Sequence, residues 1–226
     1  RQVQMGRKVL NAPGEAKEDL DIIIDLGKSL GVNWNYNHVS EVFDEMASIM
    51  PSLNNITWER VDREDSVTYP CEGKDIPGSE IVFSQNFPTK SGLGKIVPTN
   101  IISPDELPDQ DYPFVLTTGR LLEHWHTGSM TRKSITLDKI EPEAIVSMNS
   151  QDMYYLKLEP GNKVTVKTRR GSVKLSVRQD RELPKGMIFI PFCFSEAAAN
   201  KLTNPQLDPF GKIPEFKYCA ANIEAC

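Results

Sequence analysis

The stretch KVTVKTRRGSVKLSV, residues 163–177, decides the fold class of this 226-residue chain. Apolar and polar residues alternate on either side of Arg169-Arg170-Gly171, and this period of two predicts a β-hairpin. The dipeptide Pro160-Gly161 marks a turn shortly before the first strand. The second half of the chain is therefore expected to be built from short strands.

Further strands are predicted on both sides of this hairpin. The short apolar runs Pro113–Thr118, Met187–Pro191 and Phe216–Ile223 are typical of strands, and Gln151–Leu158 is expected to form a short helix. Short strands with one or two small helices favour a closed β-barrel over a parallel sheet with crossover helices. The predicted fold class is mixed α/β, with a C-terminal barrel preceded by a small α-rich segment.

The first half of the chain has a different pattern. Residues 13–31 and the segment that begins at Ser40 have apolar residues at helical spacing, which predicts two amphipathic helices that pack into a core. Residues 62–110 are rich in Pro, Gly, Asp and Ser and predict a long connector, with one short strand at Glu80–Phe83. We expect a domain boundary between residues 88 and 89.

Composition excludes several classes of protein. Hydrophobic residues make up 39% and charged residues 25% of the chain, as in ordinary globular proteins, and no apolar run is long enough to span a membrane. The net charge of −5 is uneven: residues 1–110 hold 10 basic and 18 acidic residues, whereas residues 111–226 hold 16 and 13. The basic excess of the second half suits an anionic ligand but is too small for a nucleic-acid interface, and unequal solvated faces would explain it equally well.

The four cysteines, Cys71, Cys193, Cys219 and Cys226, are widely spaced. The sequence has no Cys-x-x-Cys pair, which argues against a zinc ribbon, a redox dithiol or a run of iron–sulfur ligands within it. Scattered cysteines suit a reducing compartment, so a cytoplasmic location is expected. Cys193 is expected to be a buried thiol rather than a nucleophile, because no base can be placed beside it.

The segment that follows the strand predicted at Pro113–Thr118 is the densest polar cluster. Between Thr117 and Arg132 it holds glycines, hydroxyl residues, two arginines and two of the chain's three histidines. Glycine lets backbone N–H groups approach a ligand, and arginine can donate two hydrogen bonds to a phosphate, so a ligand site is expected here. Two alternatives stay open for His124 and His126: a metal pair, which would need further ligands, or structural histidines at a strand end.

A second polar cluster occupies residues 191–203. The run Ala197–Ala199 permits close packing against a flat group, and the amide of Asn200 could read a ring edge because it both donates and accepts hydrogen bonds. An ordinary helix N-terminus capped by Ser195 is an equally good interpretation.

A third, weaker signal is a Pro/Gly turn in residues 207–219 that leads into the last predicted strand. Lys212 or Lys217 could neutralise a phosphate there. No order of Ser, His and Asp in the chain suggests a catalytic triad.

These motifs, in this order, resemble the C-terminal domain of the α (large) subunit of molybdopterin-dependent formate dehydrogenases, and within that family the soluble, NAD-dependent type. The similarity is carried by RLLEHWHTGSMTR at residues 120–132, EAAANKLTN at 196–204, LDPFGKIPEFKYCA at 207–220, VTYP at 67–70, and residues 11–14 with the helix that follows. It covers nearly the whole chain.

The resemblance implies a double-psi β-barrel in residues 89–226 that binds molybdopterin guanine dinucleotide. Residues 1–88 would be the tail of an upstream α/β domain with its linker. The implied enzyme oxidises formate to CO2, or reduces CO2, at a molybdenum or tungsten ion held by two such dinucleotides. Electrons would pass through iron–sulfur clusters to a flavin subunit and NAD, which makes those subunits and the rest of the α subunit the expected partners.

The resemblance also implies which residues bind the cofactor. Three would lie on the path of the pterin and pyrophosphate after their strand, five would add hydrogen bonds, and two would complete the pocket from the other side. In that order they are Thr118, Gly119 and Arg120; His124, His126, Thr127, Ser129 and Thr131; and Asn200 and Lys217.

The catalytic parts of the family have no counterpart in this sequence. In the family, the metal-ligating Cys or selenocysteine, the active-site His and Arg, and the cluster cysteines lie upstream in the α subunit. The chain is therefore expected to be a portion of a larger subunit, inactive alone, with no catalytic residue and no metal ligand. Two other functions stay open: a stand-alone binding module on the same barrel, and a part of another molybdopterin oxidoreductase such as a nitrate reductase.

Overall fold

The computed structural model describes all 226 residues, which form two compact units, Arg1–Pro98 and Thr99–Cys226. The helices and strands are β1 (Gln2–Gln4), α1 (Asp19–Ser29), α2 (Val39–Ile49), α3 (Trp58–Glu64), β2 (Ser66–Thr68), β3 (Phe114–Gly119), α4 (Ile135–Ile140), β4 (Ile145–Met148), α5 (Ser150–Tyr155), β5 (Lys163–Lys167), β6 (Ser172–Gln179), β7 (Met187–Pro191) and β8 (Cys219–Ala225). None of these helices combines the length and the apolar character that crossing a membrane requires.

Helix α1 lies within residues 13–31, the stretch predicted as a helix, but begins six residues later than predicted. It ends in a Schellman motif, in which the Gly31 N–H donates to the Lys28 carbonyl at 3.0 Å and the Val32 N–H donates to the Gly27 carbonyl at 2.9 Å. Gly31 has a φ of +82°, which glycine adopts without steric cost. Gly31 is therefore the residue at which the chain leaves the helix.

Helix α2 confirms the second predicted helix and begins one residue before Ser40. His38 is its N-cap residue, because its Nδ1 accepts a hydrogen bond from the Ser40 N–H at 3.2 Å. An imidazole nitrogen here accepts the hydrogen bond that a hydroxyl or carboxylate oxygen accepts at most N-caps. The helix therefore begins at Val39.

The core of the first unit is smaller than the helical patterns predict. Its fully enclosed apolar residues come from α3, β2 and the turns around them, and they are Leu53, Ile56, Val61, Val67 and Cys71. Helix α2 contributes Phe43 and Ala47 at the edge of this cluster, but α1 buries only Gly27 and leaves Leu26 60% exposed. The prediction that both helices are core elements is wrong for α1 within this unit.

The short sheet of the first unit is also not where the sequence placed it. Residues 80–83 form bends without ladder hydrogen bonds, so the strand predicted at Glu80–Phe83 is wrong. Instead β1 pairs antiparallel with β2, and Val3 lies opposite Val67. The Val67 side chain then enters the small core.

The second unit is a closed six-stranded barrel with the strand order β3-β7-β4-β6-β5-β8. The pairs β3·β7 and β4·β6 are parallel, and the other four neighbouring pairs are antiparallel. The predicted hairpin is confirmed as β5 and β6, with Val164 opposite Leu175 and Val166 opposite Val173. Closure leaves no free sheet edge, and the predicted mixed α/β fold with a closed barrel is confirmed.

Alternating side chains fill the barrel. The largest ones with almost no exposure are Leu116, Val146, Met148, Val164, Val166, Leu175, Ile188 and Ile190. Burying each such side chain stabilises the fold by roughly 1.5–3 kcal/mol relative to leaving it in water. The barrel is therefore a packed scaffold on which the connecting segments are held.

The strand pairing brings three segments to one end of this barrel. Gly119, the last residue of β3, lies beside Pro191, the last residue of the parallel strand β7, so the segments after both strands leave together. Strand β8 runs antiparallel to β3 with Cys219 opposite Leu116, which places the residues just before β8 at the same end. We call this the loop end. Strand β8 begins at Cys219, three residues later than predicted, because Phe216 packs at this loop end rather than in the ladder.

Candidate functional site

A cavity of about 400 Å³ opens at the loop end. Each of the three polar segments singled out in the sequence contributes to its wall. The lining residues are Thr118, Thr127, Phe192, Phe194, Ser195, Ala198, Ala199, Asn200, Thr203 and Phe216. Of the ten predicted cofactor-binding residues, Thr118, Thr127 and Asn200 are thus brought together around one space.

The end of β3 is tied to the segment before β8. The Thr118 hydroxyl donates to the Phe216 carbonyl at 3.1 Å, and Lys217 Nζ lies 3.4 Å from the Thr118 carbonyl, to which it donates. Thr118 is buried and Lys217 is exposed. These contacts keep an ammonium group beside the cavity wall without an acidic partner within ion-pair distance.

Two glycines permit the backbone at the loop end to pack closely. A Cβ added to Gly119 would lie 2.7 Å from the Phe189 ring, and a Cβ added to Gly128 would lie 2.6 Å from the Cys193 carbonyl oxygen. Gly128 also has a φ of +75°, a conformation that other residues rarely adopt. The segment after β3 can therefore touch the segment after β7 only because residue 128 lacks a side chain.

His124 is buried and fully hydrogen-bonded within the protein. Its Nε2 lies 2.8 Å from the Glu141 carbonyl, and its Nδ1 lies 3.4 Å from Thr131 Oγ1. Because a carbonyl oxygen only accepts, Nε2 carries the hydrogen in this arrangement. Thr131 Oγ1 also accepts from the Trp125 N–H at 2.9 Å. This arrangement fits the alternative of a structural histidine at a strand end, and a bond from His124 or Thr131 to a ligand stays a prediction.

His126 has the opposite environment. It is exposed, its backbone has a φ of +48°, and its ring lies against Trp125 with the centroids 4.5 Å apart. The only side-chain neighbour of its Nε2 within hydrogen-bond distance is Arg120 Nη2, at 3.5 Å. Arg120 is exposed and makes no ion pair, and Ser129 is exposed on the same loop. Cationic and polar groups therefore face solvent beside the cavity.

Several lining residues were not among the predicted ten. They are Phe192, Phe194, Ser195, Ala198, Ala199, Thr203 and Phe216. Phe192 and Phe194 belong to the second polar cluster, but no sequence signal marks their aromatic rings as part of a ligand site. Only the parallel pairing of β3 and β7 brings them to the cavity.

Cys193 confirms the expectation of a buried thiol. It is 1% exposed, and burial in apolar surroundings raises its pKa to about 11. A thiol with a raised pKa is a poor nucleophile at neutral pH. No group of three His, Cys, Asp or Glu side chains in the structure is close enough to hold a metal ion.

The chemistry of the cavity wall suits a flat heteroaromatic group attached to phosphates. Three phenylalanines and two alanines supply apolar surface for a ring, and Thr118, Thr127, Ser195, Asn200 and Thr203 supply hydroxyl and amide groups for its edges. Arg120 and Lys217, which are not neutralised by carboxylates, can attract phosphate oxygens. The loop end therefore has the properties of a site for a nucleotide-like ligand.

The fold and the site together define the class of protein: a closed β-barrel with a cavity at its loop end. Residues 114–220 match the family model described as "Molydopterin dinucleotide binding domain". This segment spans nearly the whole barrel, from β3 to the first residues of β8. The barrel of this chain is therefore similar to the molybdopterin dinucleotide-binding domain.

Similar proteins confirm the resemblance to formate dehydrogenase α subunits. The chain is 42% identical over 226 residues to "F420-dependent formate dehydrogenase subunit alpha" of Methanocaldococcus jannaschii, which covers 99% of the chain and 33% of the relative. It is 32% identical over 220 residues to the assimilatory nitrate reductase catalytic subunit of Bacillus subtilis, covering 93% of the chain and 31% of that relative. The chain thus spans about a third of the length of these relatives.

A solved structure supports the fold. Acetylene hydratase from Pelobacter acetylenicus matches with a TM-score of 0.70 and 17% sequence identity, covering 100% of this chain and 35% of that chain. At this identity the match concerns the fold alone. It is a similarity to another protein with the same architecture.

Proposed function

We propose that the loop end of the barrel binds the nucleotide end of a molybdopterin guanine dinucleotide in a molybdenum or tungsten formate dehydrogenase. The observation that carries this proposal is the cavity between the segments after β3 and β7, with aromatic walls and polar edges. Its size of about 400 Å³ suits one purine nucleoside rather than a whole dinucleotide. The pterin part of the cofactor would extend beyond it.

The residues divide into three roles in this proposal. The rings of Phe192, Phe194 and Phe216 cover the faces of the base, and Asn200 hydrogen-bonds its edge. Thr127 donates to ribose or phosphate oxygens from the opposite wall. The Thr118 hydroxyl donates to the Phe216 carbonyl, so its oxygen is left to accept a hydrogen bond from the ribose.

The cations outside the cavity complete the arrangement. Arg120 and Lys217 neutralise the pyrophosphate, with His126 and Ser129 as further donors. Gly119 and Gly128 allow the segments that carry these groups to pack closely against neighbouring parts of the chain. His124 and Thr131 hold the loop in shape from behind, and either can reach the ligand only by giving up a bond within the protein.

For the whole enzyme, we propose interconversion of formate and CO2, with the chain as the dinucleotide-binding part of its α subunit. The bound metal cofactor supplies the two-electron redox chemistry. The 42% identity to a formate dehydrogenase α subunit over the whole chain supports this substrate over nitrate, since the nitrate reductase relative is 32% identical. Iron–sulfur clusters and a flavin-containing partner subunit, in a cytoplasmic complex, complete the proposal.

The electron acceptor needs a separate test. The sequence motifs resemble the NAD-dependent type, whereas three relatives at 38–42% identity carry the printed name F420-dependent. We propose F420 as the first acceptor to assay with the purified complex and formate, and NAD as the second. Reduction of NAD but not of F420 would contradict this order.

The binding proposal is tested on the native assembly that contains this chain. The cofactor is released with acid, guanine nucleotide is quantified, and Mo, W and Fe are counted by mass spectrometry. We expect about two guanine nucleotides for each Mo or W ion, with iron present. An assembly purified with the full-length subunit that holds neither guanine nucleotide nor Mo or W would overturn the proposal and favour a stand-alone binding module.

A further inference from the structure

Arg132 links the two segments that form the cavity. Its Nη1 donates to both carboxylate oxygens of Glu196, at 2.8 and 2.6 Å, and its Nε donates to Asp138 Oδ1 at 3.1 Å. Arg132 follows the loop after β3, whereas Glu196 lies in the segment after β7. A single guanidinium therefore holds both walls of the cavity.

The same guanidinium also fixes an aromatic wall. Its central carbon lies 4.8 Å from the centroid of the Phe194 ring, whose edge contacts His124 with the centroids 5.8 Å apart. Phe194 is 1% exposed and lines the cavity. A cation over a ring face adds attraction beyond packing, so Arg132 and His124 together set the position of this ring.

The backbone around Arg132 is built to allow this arrangement. The Arg132 N–H donates to the Gly128 carbonyl at 3.0 Å, and a Cβ at Gly128 would lie 2.9 Å from Arg132 Cγ. The same Cβ would meet the Cys193 carbonyl, one residue before Phe194. Gly128, Arg132 and the Cys193–Glu196 segment therefore form one tightly packed contact behind the cavity.

We propose that Arg132 is a positioning residue for the nucleotide: it clamps the two cavity walls at the separation that the bound base requires. It does this through Glu196 and Phe194 and does not touch the ligand itself. This inference rests on the proposed function. Its consequence is that weakening the clamp should speed the loss of nucleotide more than it lowers the stability of the barrel.

The test compares guanine nucleotide release from the purified complex of the wild type and of Arg132→Gln. After transfer to buffer without cofactor, the nucleotide still bound is quantified over time. We expect roughly tenfold faster release from Arg132→Gln, because the ion pair and the contact with the Phe194 ring are lost together. Arg132→Lys keeps the positive charge but loses the guanidinium that bonds Glu196 and Asp138 together, so its release rate should lie between those of the wild type and Arg132→Gln. Glu196→Gln should also release nucleotide faster than the wild type.

Arg178→Gln is the matched control. Arg178 makes a comparable double hydrogen bond to Glu141, at 3.0 and 2.6 Å, but lines no part of the cavity. It should change the unfolding midpoint about as much as Arg132→Gln while leaving nucleotide release at the wild-type rate. Equal release rates in the wild type, Arg132→Gln and Arg132→Lys would overturn the clamp while leaving the binding proposal intact.

A second measurement covers the case in which Arg132→Gln fails to fold. Hydrogen exchange of the complex carrying Arg132→Lys should show faster exchange of the backbone amides in residues 127–130 and 194–199 than in the wild type. Amides of the β5–β6 hairpin should be unchanged in the same sample. Unchanged protection of both loop segments would contradict the clamp, whereas a wild-type complex without guanine nucleotide would contradict the proposed function on which it rests.

Discussion

Two arginine-bearing segments lie at the loop end of the barrel, and their surroundings differ. In the β5–β6 turn, Arg169 and Arg170 are both paired with Glu106, Arg169 also pairs with Asp109, and Arg170 Nε donates to the Leu202 carbonyl at 2.9 Å. In the loop after β3, Arg120 is exposed and has only His126 within 3.5 Å. The first segment is neutralised by the protein itself, whereas the second retains free positive charge.

Whether an arginine already has acidic partners decides if its charge is available to a ligand. A guanidinium that already has carboxylate and carbonyl partners stabilises the fold, and an anion would have to displace those partners. An exposed guanidinium without an acidic partner contributes little to stability and can bind phosphate. Counting basic residues in the sequence could not separate these cases, since both segments add equally to the net charge.

The largest expected loss of stability comes from breaking the ion pairs of the β5–β6 turn. Glu106→Gln removes the shared partner of Arg169 and Arg170 and weakens the bond accepted from the Ala220 N–H at 3.1 Å. Because the Glu106 side chain is only 11% exposed, we expect a loss of about 3 kcal/mol in the free energy of unfolding, measured by urea denaturation. Glu224→Gln, at an exposed position of β8, is the control and should stay within about 0.5 kcal/mol of the wild type.

Substituting one glycine in each segment compares how much each loop depends on a residue without a side chain. Gly128→Ala combines a φ of +75° with a Cβ 2.6 Å from a carbonyl oxygen, and should cost about 2–3 kcal/mol in the free energy of unfolding. Gly171→Ala, in the β5–β6 turn, has no positive φ and places its Cβ 3.0 Å from the Lys201 carbonyl, so about 1 kcal/mol is expected. Equal losses for the two variants in thermal unfolding would mean that Gly128 is not strained by its backbone.

The free charge gives a prediction about binding rather than stability. Arg120→Ala in the complete enzyme removes a charge-assisted hydrogen bond to phosphate, worth roughly 1.5–3 kcal/mol of binding. Guanine nucleotide and molybdenum content of the purified variant measure the effect. Arg181→Ala, an exposed arginine away from the cavity, should retain both. Full cofactor content in Arg120→Ala would contradict the role of the free charge.

The sequence predicted those parts of the molecule in which a local pattern coincides with burial. Strands β5 and β6 alternate because one face of each is inside the barrel, and the turn between them is marked by Gly171. Strand β4 escaped prediction because all four of its residues are buried, which leaves no alternation to detect. The prediction that helix α1 is a core element failed because its apolar spacing is helical but its side chains are largely exposed within the unit.

For the site, the sequence predicted the segments better than the roles of individual residues. All three polar segments meet at the loop end, where each contributes to the cavity wall. Which histidine is buried could not be predicted, since His124 and His126 flank the same tryptophan in one polar segment. The bond from His124 to the Glu141 carbonyl depends on where the chain returns 17 residues later.

The titration of Glu106 has the smallest expected effect on stability near neutral pH, because this carboxyl stays ionised there. Its effect at acidic pH tests the ion pairs of the β5–β6 turn. Burial by itself would raise the pKa of Glu106, but the hydrogen bonds and charge of Arg170, the Ala220 N–H and Arg169 outweigh it and hold the pKa below the ordinary value of 4.5. A carboxyl whose pKa is lower in the folded state contributes stability above its unfolded pKa and loses that contribution as the pH falls through the folded value. The difference in unfolding free energy between the wild type and Glu106→Gln should therefore be constant from pH 7 to about pH 5 and shrink below pH 4.5. A difference that stays constant down to pH 3 would show that the partners of Glu106 hold it by packing rather than by charge.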